Sequence, residues 1–108
     1  MSDHVVDLRT YRLVPGGGAD FDRIFREDAL PMLESRGIEV VAYGPSLADD
    51  RHYFLARGFA SEPERKRQLS TFYGSDEWRH AHAEAVDALI ESFHHLVLPA
   101  ASLGRSRV

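Results

Sequence analysis

The strand-like segments of this chain carry apolar residues on both of their alternation sets, so a sheet built from them must bury two faces. The first offers Val6 and Leu8 on one set and Tyr11 and Leu13 on the other. The third offers Phe54 and Ala56 against Leu55 and Phe59, and the fourth Phe93 and Val97 against Leu96 and Leu98. Helices packed on the sheet can cover one face only. A contiguous apolar face larger than a few hundred Å² is seldom left in water. The second face is therefore expected to meet the same face of another copy, giving a homodimer with sheet packed on sheet.

The order of elements follows from periodicity and punctuation. Val5 to Val14 is rich in β-branched and aromatic residues and stops at Pro15-Gly16-Gly17-Gly18, a strand followed by a turn. From Asp20, the residues Phe21, Ile24, Phe25, Ala29, Met32 and Leu33 recur at the spacing of one helix face, and Gly37 supplies the stop. Pro31 cannot donate to the helical ladder, which predicts a kink or break near Asp28. Ile38 to Ser46 and His52 to Ala60 form two strands joined by a connection of hairpin length. Ser61 and Glu64 make the S-x-x-E capping pattern of a helix reaching Tyr73. Gly74 ends it, Ser75 caps the next, and an apolar stripe from Trp78 through His82, Ala85, Leu89 and Ile90 predicts a helix to about Glu91. A last strand runs from Phe93 to Leu98 and stops at Pro99. The sum is β-α-β-β-α-α-β: an α+β fold, the ferredoxin-like split βαβ with a four-stranded antiparallel sheet. It is one domain over residues 1–99, with 100–108 expected as a frayed tail.

Composition narrows the partners. Thirteen Lys plus Arg against 17 Asp plus Glu leave a net charge of -4, the wrong sign for affinity built on neutralising phosphates. No nucleic acid partner is expected. No apolar run nears the ~20 residues that span a bilayer, and Met1 to Val14 lacks the regions of a signal peptide. No membrane association is expected, and the chain reads as cytoplasmic. Zero Cys removes disulfides, thiolate chemistry and Cys-ligated metals.

Leu8-Arg9-Thr10-Tyr11, the Pro15-Gly16 turn, Leu30-Pro31 six residues before Gly37-Ile38, Glu64-Arg65, and Tyr73 to Arg79 (YGSDEWR) together resemble the NIPSNAP family. The resemblance spans about Val6 to Leu98. It implies the dimeric α/β-barrel superfamily, in which two ferredoxin-like domains pack sheet to sheet. That superfamily also holds cofactor-free and haem-degrading monooxygenases, an isomerase and a cyclase, and fold analogy does not choose among them. The resemblance brings no catalytic residue set to these positions.

Six His invite a metal reading, but no H-x-x-x-H or H-E-x-x-H spacing is present. Asp76, His80 and Glu84 fall at i, i+4 and i+8 among further acidic residues, the pattern of a solvated face. His94 and His95 are adjacent in a strand and must point to opposite faces. The glycine run lacks both the P-loop ending and the G-x-G-x-x-G spacing. No metal and no cofactor are expected. The sharper signal is polar and aromatic residues where this fold must be apolar: Trp78 and His82 on one helix stripe, and Arg9, Tyr11, Tyr43 and Arg57 in strands. A cavity lined by these six would suit a small aromatic or polyketide-like molecule. His82 or Tyr43 would then transfer a proton, Trp78 would stack and Arg would meet an anion. Such chemistry would be cofactor-free oxygenation, cyclisation or isomerisation. The alternative is that Trp78 and His82 are satisfied core residues and the Arg side chains make dimer contacts, leaving a non-catalytic interaction module.

Overall fold

The computed structural model describes residues 3–104. Its strands are β1 (Val5–Leu13), β2 (Glu39–Pro45), β3 (His52–Phe59) and β4 (Ile90–Pro99), all antiparallel in the order β2-β3-β1-β4. Its helices are α1 (Gly18–Ile24) and α2 (Leu30–Ser35) between β1 and β2, and α3 (Glu62–Tyr73), α4 (Asp76–Ala81) and α5 (Ala83–Asp87) between β3 and β4. This is the ferredoxin-like arrangement, with β1 and β3 paired at the centre. Among the described residues no helix is long and apolar enough to cross a membrane.

Register decides which residues share a face. Asp7, Arg9 and Tyr11 of β1 stand opposite Arg57, Leu55 and Tyr53 of β3, and opposite Val97, His95 and Phe93 of β4. These make the inner face, beneath the helices. Leu8 with Ala56 and Leu96, and Val6 with Leu98, make the outer face. His94 pairs with Thr10 and His95 with Arg9, so the two histidines do face opposite ways.

The first helical arm is not straight, and Pro31 is the reason. Residues Phe25–Ala29 form a π-turn between α1 and α2, with the Leu30 N–H bonded to the Phe25 carbonyl five residues back. Pro31 has no N–H to give the Glu27 carbonyl, and the wider turn absorbs the missing bond. Phe21, Phe25, Ala29, Met32 and Leu33 are all buried by this arrangement. At the end of α2, Gly37 takes φ +74°, and the Ile38 N–H reaches the Leu33 carbonyl at 3.0 Å to close the helix end.

Three expectations need correction in the second arm and beyond. The helix expected from Trp78 to Glu91 is interrupted at His82, whose φ of -132° and ψ of -28° leave the helical region. Ile90 and Glu91 open β4 rather than close a helix, since Val14 N–H bonds to the Leu89 carbonyl and Leu13 pairs with Ile90. Residues 100–103, expected to fray, form a 3-10 turn in which Ala100 is buried against Val6 and Ala56. The Ala100 N–H bonds to the His4 carbonyl at 3.0 Å. The domain therefore continues past residue 99, while residues 105–108 of the expected tail lie outside the described residues. The two caps read from sequence are present: Ser61 Oγ accepts from Glu64 N–H at 3.2 Å and Ser75 Oγ from Trp78 N–H at 3.3 Å.

Candidate functional site

Between the inner sheet face and the helices lies a cavity of about 840 Å³, within the usual range for small-molecule sites. Its walls are aromatic and aliphatic: Phe21 and Phe25 from the first arm, Phe72 and Trp78 from the second, Leu55 and Phe93 from the sheet. Trp78 packs on Phe72 with ring centroids 5.2 Å apart and on Tyr73 at 5.8 Å. Arg79, Asp87, Glu91 and Ser92 are exposed lining residues and mark the mouth. Glu91 is held there by Arg51 at 2.7 Å and Arg12 at 3.1 Å.

Apart from the exposed residues at the mouth, the polar lining is four buried or half-buried residues, Arg9, Tyr11, Arg57 and Tyr73. The Tyr73 hydroxyl accepts from Arg57 Nη1 at 2.9 Å and from Arg9 Nη1 at 3.5 Å. The Arg9 guanidinium also lies over the Phe93 ring, 4.9 Å from its centroid. Arg57 is fully buried, as is Asp7 directly across the strand pair. Asp7 accepts from Arg57 Nη2 at 3.5 Å and from Arg65 Nη1 at 2.8 Å, and Arg65 is shared with Glu62 at 2.6 Å. Burial, with Tyr73 as a neighbour, pushes the Tyr11 phenol up to about 12 against the pull of Arg9 and Arg57. Tyr11 is accordingly a neutral hydroxyl at neutral pH. Tyr53 donates to Asp22 Oδ1 at 2.6 Å, and burial followed by that hydrogen bond raises it further still.

Four of the six residues singled out in the sequence meet at this cavity: Arg9, Tyr11, Arg57 and Trp78. His82 and Tyr43 do not line it. His82 sits at the break between α4 and α5, with Nδ1 3.8 Å from Asp28 Oδ2 of the π-turn, so it links the two helical arms. Tyr43 packs behind the wall, its ring 4.9 Å from Phe25. Both depart from expectation because i, i+4 spacing or strand alternation says which side a residue takes, not which neighbour intervenes. Tyr73 and Phe93 were not singled out. Tyr73 ends α3, and at such a position an aromatic reads as one more stripe residue. Asp76 and His80 are exposed, 3.9 Å apart, and Glu84 is exposed beyond the break. Among the described residues no group of three His, Cys, Asp or Glu side chains is placed to hold a metal ion.

A four-stranded antiparallel sheet with helices on its inner face and a cavity between the layers defines an α+β domain of ferredoxin-like topology. The NIPSNAP family model matches residues 6–103, and the chain belongs to the NIPSNAP family. A NIPSNAP-like domain protein of Burkholderia xenovorans superposes with a TM-score of 0.83 at 16% identity, over 91% of this chain and 85% of the other. A NIPSNAP family protein of Agrobacterium tumefaciens does so at 0.81 and 20% identity, over 92% and 87%. A Caulobacter crescentus protein designated a candidate antibiotic biosynthesis monooxygenase reaches 0.70 at 19% identity, over 92% and 91%. At these identities the likeness is one of fold. No curated protein matches the chain.

Proposed function

We propose that this NIPSNAP-family domain takes a small aromatic or polyketide-like molecule into the cavity between its helices and sheet. The observation that carries the reading is the cavity itself: about 840 Å³, walled by Phe21, Phe25, Phe72 and Trp78, with four buried or half-buried polar residues, Arg9, Tyr11, Arg57 and Tyr73, in its lining. A packed interior would have no such volume. We further propose that the domain works as a homodimer. The outer sheet face presents Leu8, Phe54, Leu96 and Leu98, and Leu96 is 61% exposed.

A catalytic form of this reading is cofactor-free oxygenation, cyclisation or isomerisation, as the shared fold of the Caulobacter protein suggests by analogy. It requires a proton carrier at the cavity. His82 and Tyr43 do not reach it, whereas Tyr11 does, and its raised pKa keeps the phenol protonated at neutral pH, a hydrogen-bond donor rather than a base. Native mass spectrometry of freshly purified protein tests the reading. A retained small organic mass, or one bound from a phenolic and polyketide-like panel with Trp78 fluorescence altered, is the expected result. No mass retained and no panel member bound would refute it. Light scattering at low micromolar concentration should report twice the chain mass, and Leu96→Asp should shift it toward one.

A further inference from the structure

The charges around the cavity floor do not balance. Arg57 and Arg65 pair with Asp7, Arg65 also with Glu62, and Arg9 joins Arg57 at the Tyr73 hydroxyl, so three guanidinium groups stand against two carboxylates. The shorter bond of Asp7 goes to Arg65, and Arg57 is left at 3.5 Å. Arg9 makes no ion pair among the described residues, and its partners are the Tyr73 hydroxyl, the neighbouring Tyr11 phenol and two aromatic faces. The Nε atoms of both Arg9 and Arg57 are buried without a hydrogen-bond partner. Arg57 is fully buried, and both residues line the cavity.

Leaving a buried guanidinium N–H unpaired is unfavourable, because the group has lost its water and gained nothing in return. A ligand that brings an anionic oxygen supplies both the missing acceptor and the missing charge, and guanidinium binds carboxylate in a fork geometry that a neutral carbonyl matches poorly. A folded protein seldom keeps such a vacancy without a use for it. The rest of the buried and half-buried lining is apolar and aromatic, so the charge belongs at one end of an otherwise apolar molecule. The other charged lining groups do not compete for this role. Glu91 is engaged by Arg12 and Arg51 at the mouth, and Asp87 and Arg79 are exposed there. His95 shares the inner face beside Arg9 but is itself exposed.

We infer that the ligand is an organic anion, an aromatic carboxylate, whose charged oxygens are held by Arg9 and Arg57 with Tyr73 and Tyr11 beside them. This rests on the cavity being a small-molecule site, and it adds the class of molecule that site takes. The Tyr73 hydroxyl, now accepting from both arginines, keeps its own hydrogen to donate.

Matched pairs of probes separate this inference from the reading beneath it. Benzoate, 2-naphthoate and anthraquinone-2-carboxylate are each titrated calorimetrically against the corresponding primary amide, which has the same shape without the charge. The acid of at least one pair should bind about tenfold or more tightly than its amide, in keeping with the strength of charge-assisted hydrogen bonds. Arg9→Gln leaves the Asp7–Arg57–Arg65 pairing in place and should fold. It should weaken acid binding about tenfold and leave the amide unchanged. Arg57→Lys, which keeps a charge opposite Asp7 but loses the fork, should also reduce acid binding. Amides that bind as well as acids would overturn the anion inference and leave the cavity reading standing. Equal weakening of acid and amide by Arg9→Gln would overturn it too. If neither acids nor amides bind, both fall together.

Discussion

The two helical arms lie on the same sheet and could hardly be packed more differently. The first, α1 through α2, drives Phe21, Phe25, Ala29, Met32 and Leu33 into the core, and its aromatics mesh with the sheet: Phe21 with Tyr53 at 4.9 Å and Phe25 with Tyr53 at 6.1 Å. In the second, α3 buries Leu69 and Phe72, but α4 buries no residue and α5 only Val86. The cavity exists where that burial is missing. One arm is a wall, and the far end of the other is a roof held by caps, by Trp78 against Phe72, and by two long contacts to the first arm, His82 to Asp28 at 3.8 Å and Glu77 to Arg36 at 3.9 Å. A domain of this size can leave space for a ligand only by under-packing some element, and here the under-packed element is the broken helix pair.

The largest effect expected from this contrast is on Phe25. Phe25→Ala should lower stability by about 3–5 kcal/mol in denaturant titration, the usual result of emptying a buried aromatic site. A loss under 1.5 kcal/mol, by contrast, is expected for Trp78→Phe, about the scale of a conservative apolar exchange, with the change appearing in ligand binding instead. Finding the two losses equal would mean that both arms are packed alike.

Next in size is an alkaline effect at Tyr11, whose ring on β1 lies 5.2 Å from Phe21 of the first arm and 6.4 Å from Phe93 of β4. Its folded-state pKa, about 12, stands above the unfolded value near 10, so the fold prefers the protonated phenol. The stability it supplies is intact below pH ~10 and is lost as pH rises toward ~12, on the order of 2–3 kcal/mol. Tyr53, raised in the same direction, adds to the loss. Unfolding titrations from pH 8 to 12 should therefore show a shallower decline for Tyr11→Phe than for the parent protein. Identical pH profiles would remove Tyr11 as the source.

Ser75→Ala should cost about 1 kcal/mol, because it deletes the acceptor that caps α4 at the Trp78 N–H. Hydrogen exchange gives the finest test. Amides of α4 and α5 should exchange well before those of α1 and α2, and Ser75→Ala should widen that gap. Uniform protection across both arms would contradict the picture of a loosely seated roof.

How far the site could be read from the sequence depended on how local its causes are. The π-turn was legible as a break because Pro31 and the carbonyl it leaves unpaired are four residues apart. The caps at Ser61 and Ser75 were legible for the same reason. The break at His82 was not, since the apolar stripe keeps its spacing across it and Leu89 and Ile90 suit a helix end and a strand start equally. Ala100 looked like tail because its partners, Val6 and Ala56, are far away in the chain. Arg9, Tyr11, Arg57 and Trp78 stood out as residues too polar or too large for their positions. Tyr73, which both arginines share, had nothing unusual about its position.

The sequence by itself therefore determined the four strands, the two helical arms, their order and the topology they must adopt, because period, capping and turn chemistry act over a few residues and leave few ways to connect four strands. It also determined that both sheet faces carry apolar residues, which is arithmetic on alternation. Only the tertiary structure decided that Asp7 stands across from Arg57, that Asp7 is claimed more closely by Arg65, and that the Nε atoms of Arg9 and Arg57 are left without partners beside a cavity. Those pairs join residues 50 and 58 positions apart, and Arg9 and Tyr73 are 64 apart. A cavity is a place where side chains fail to meet, and that is a property of the packed whole which no short pattern along the chain encodes.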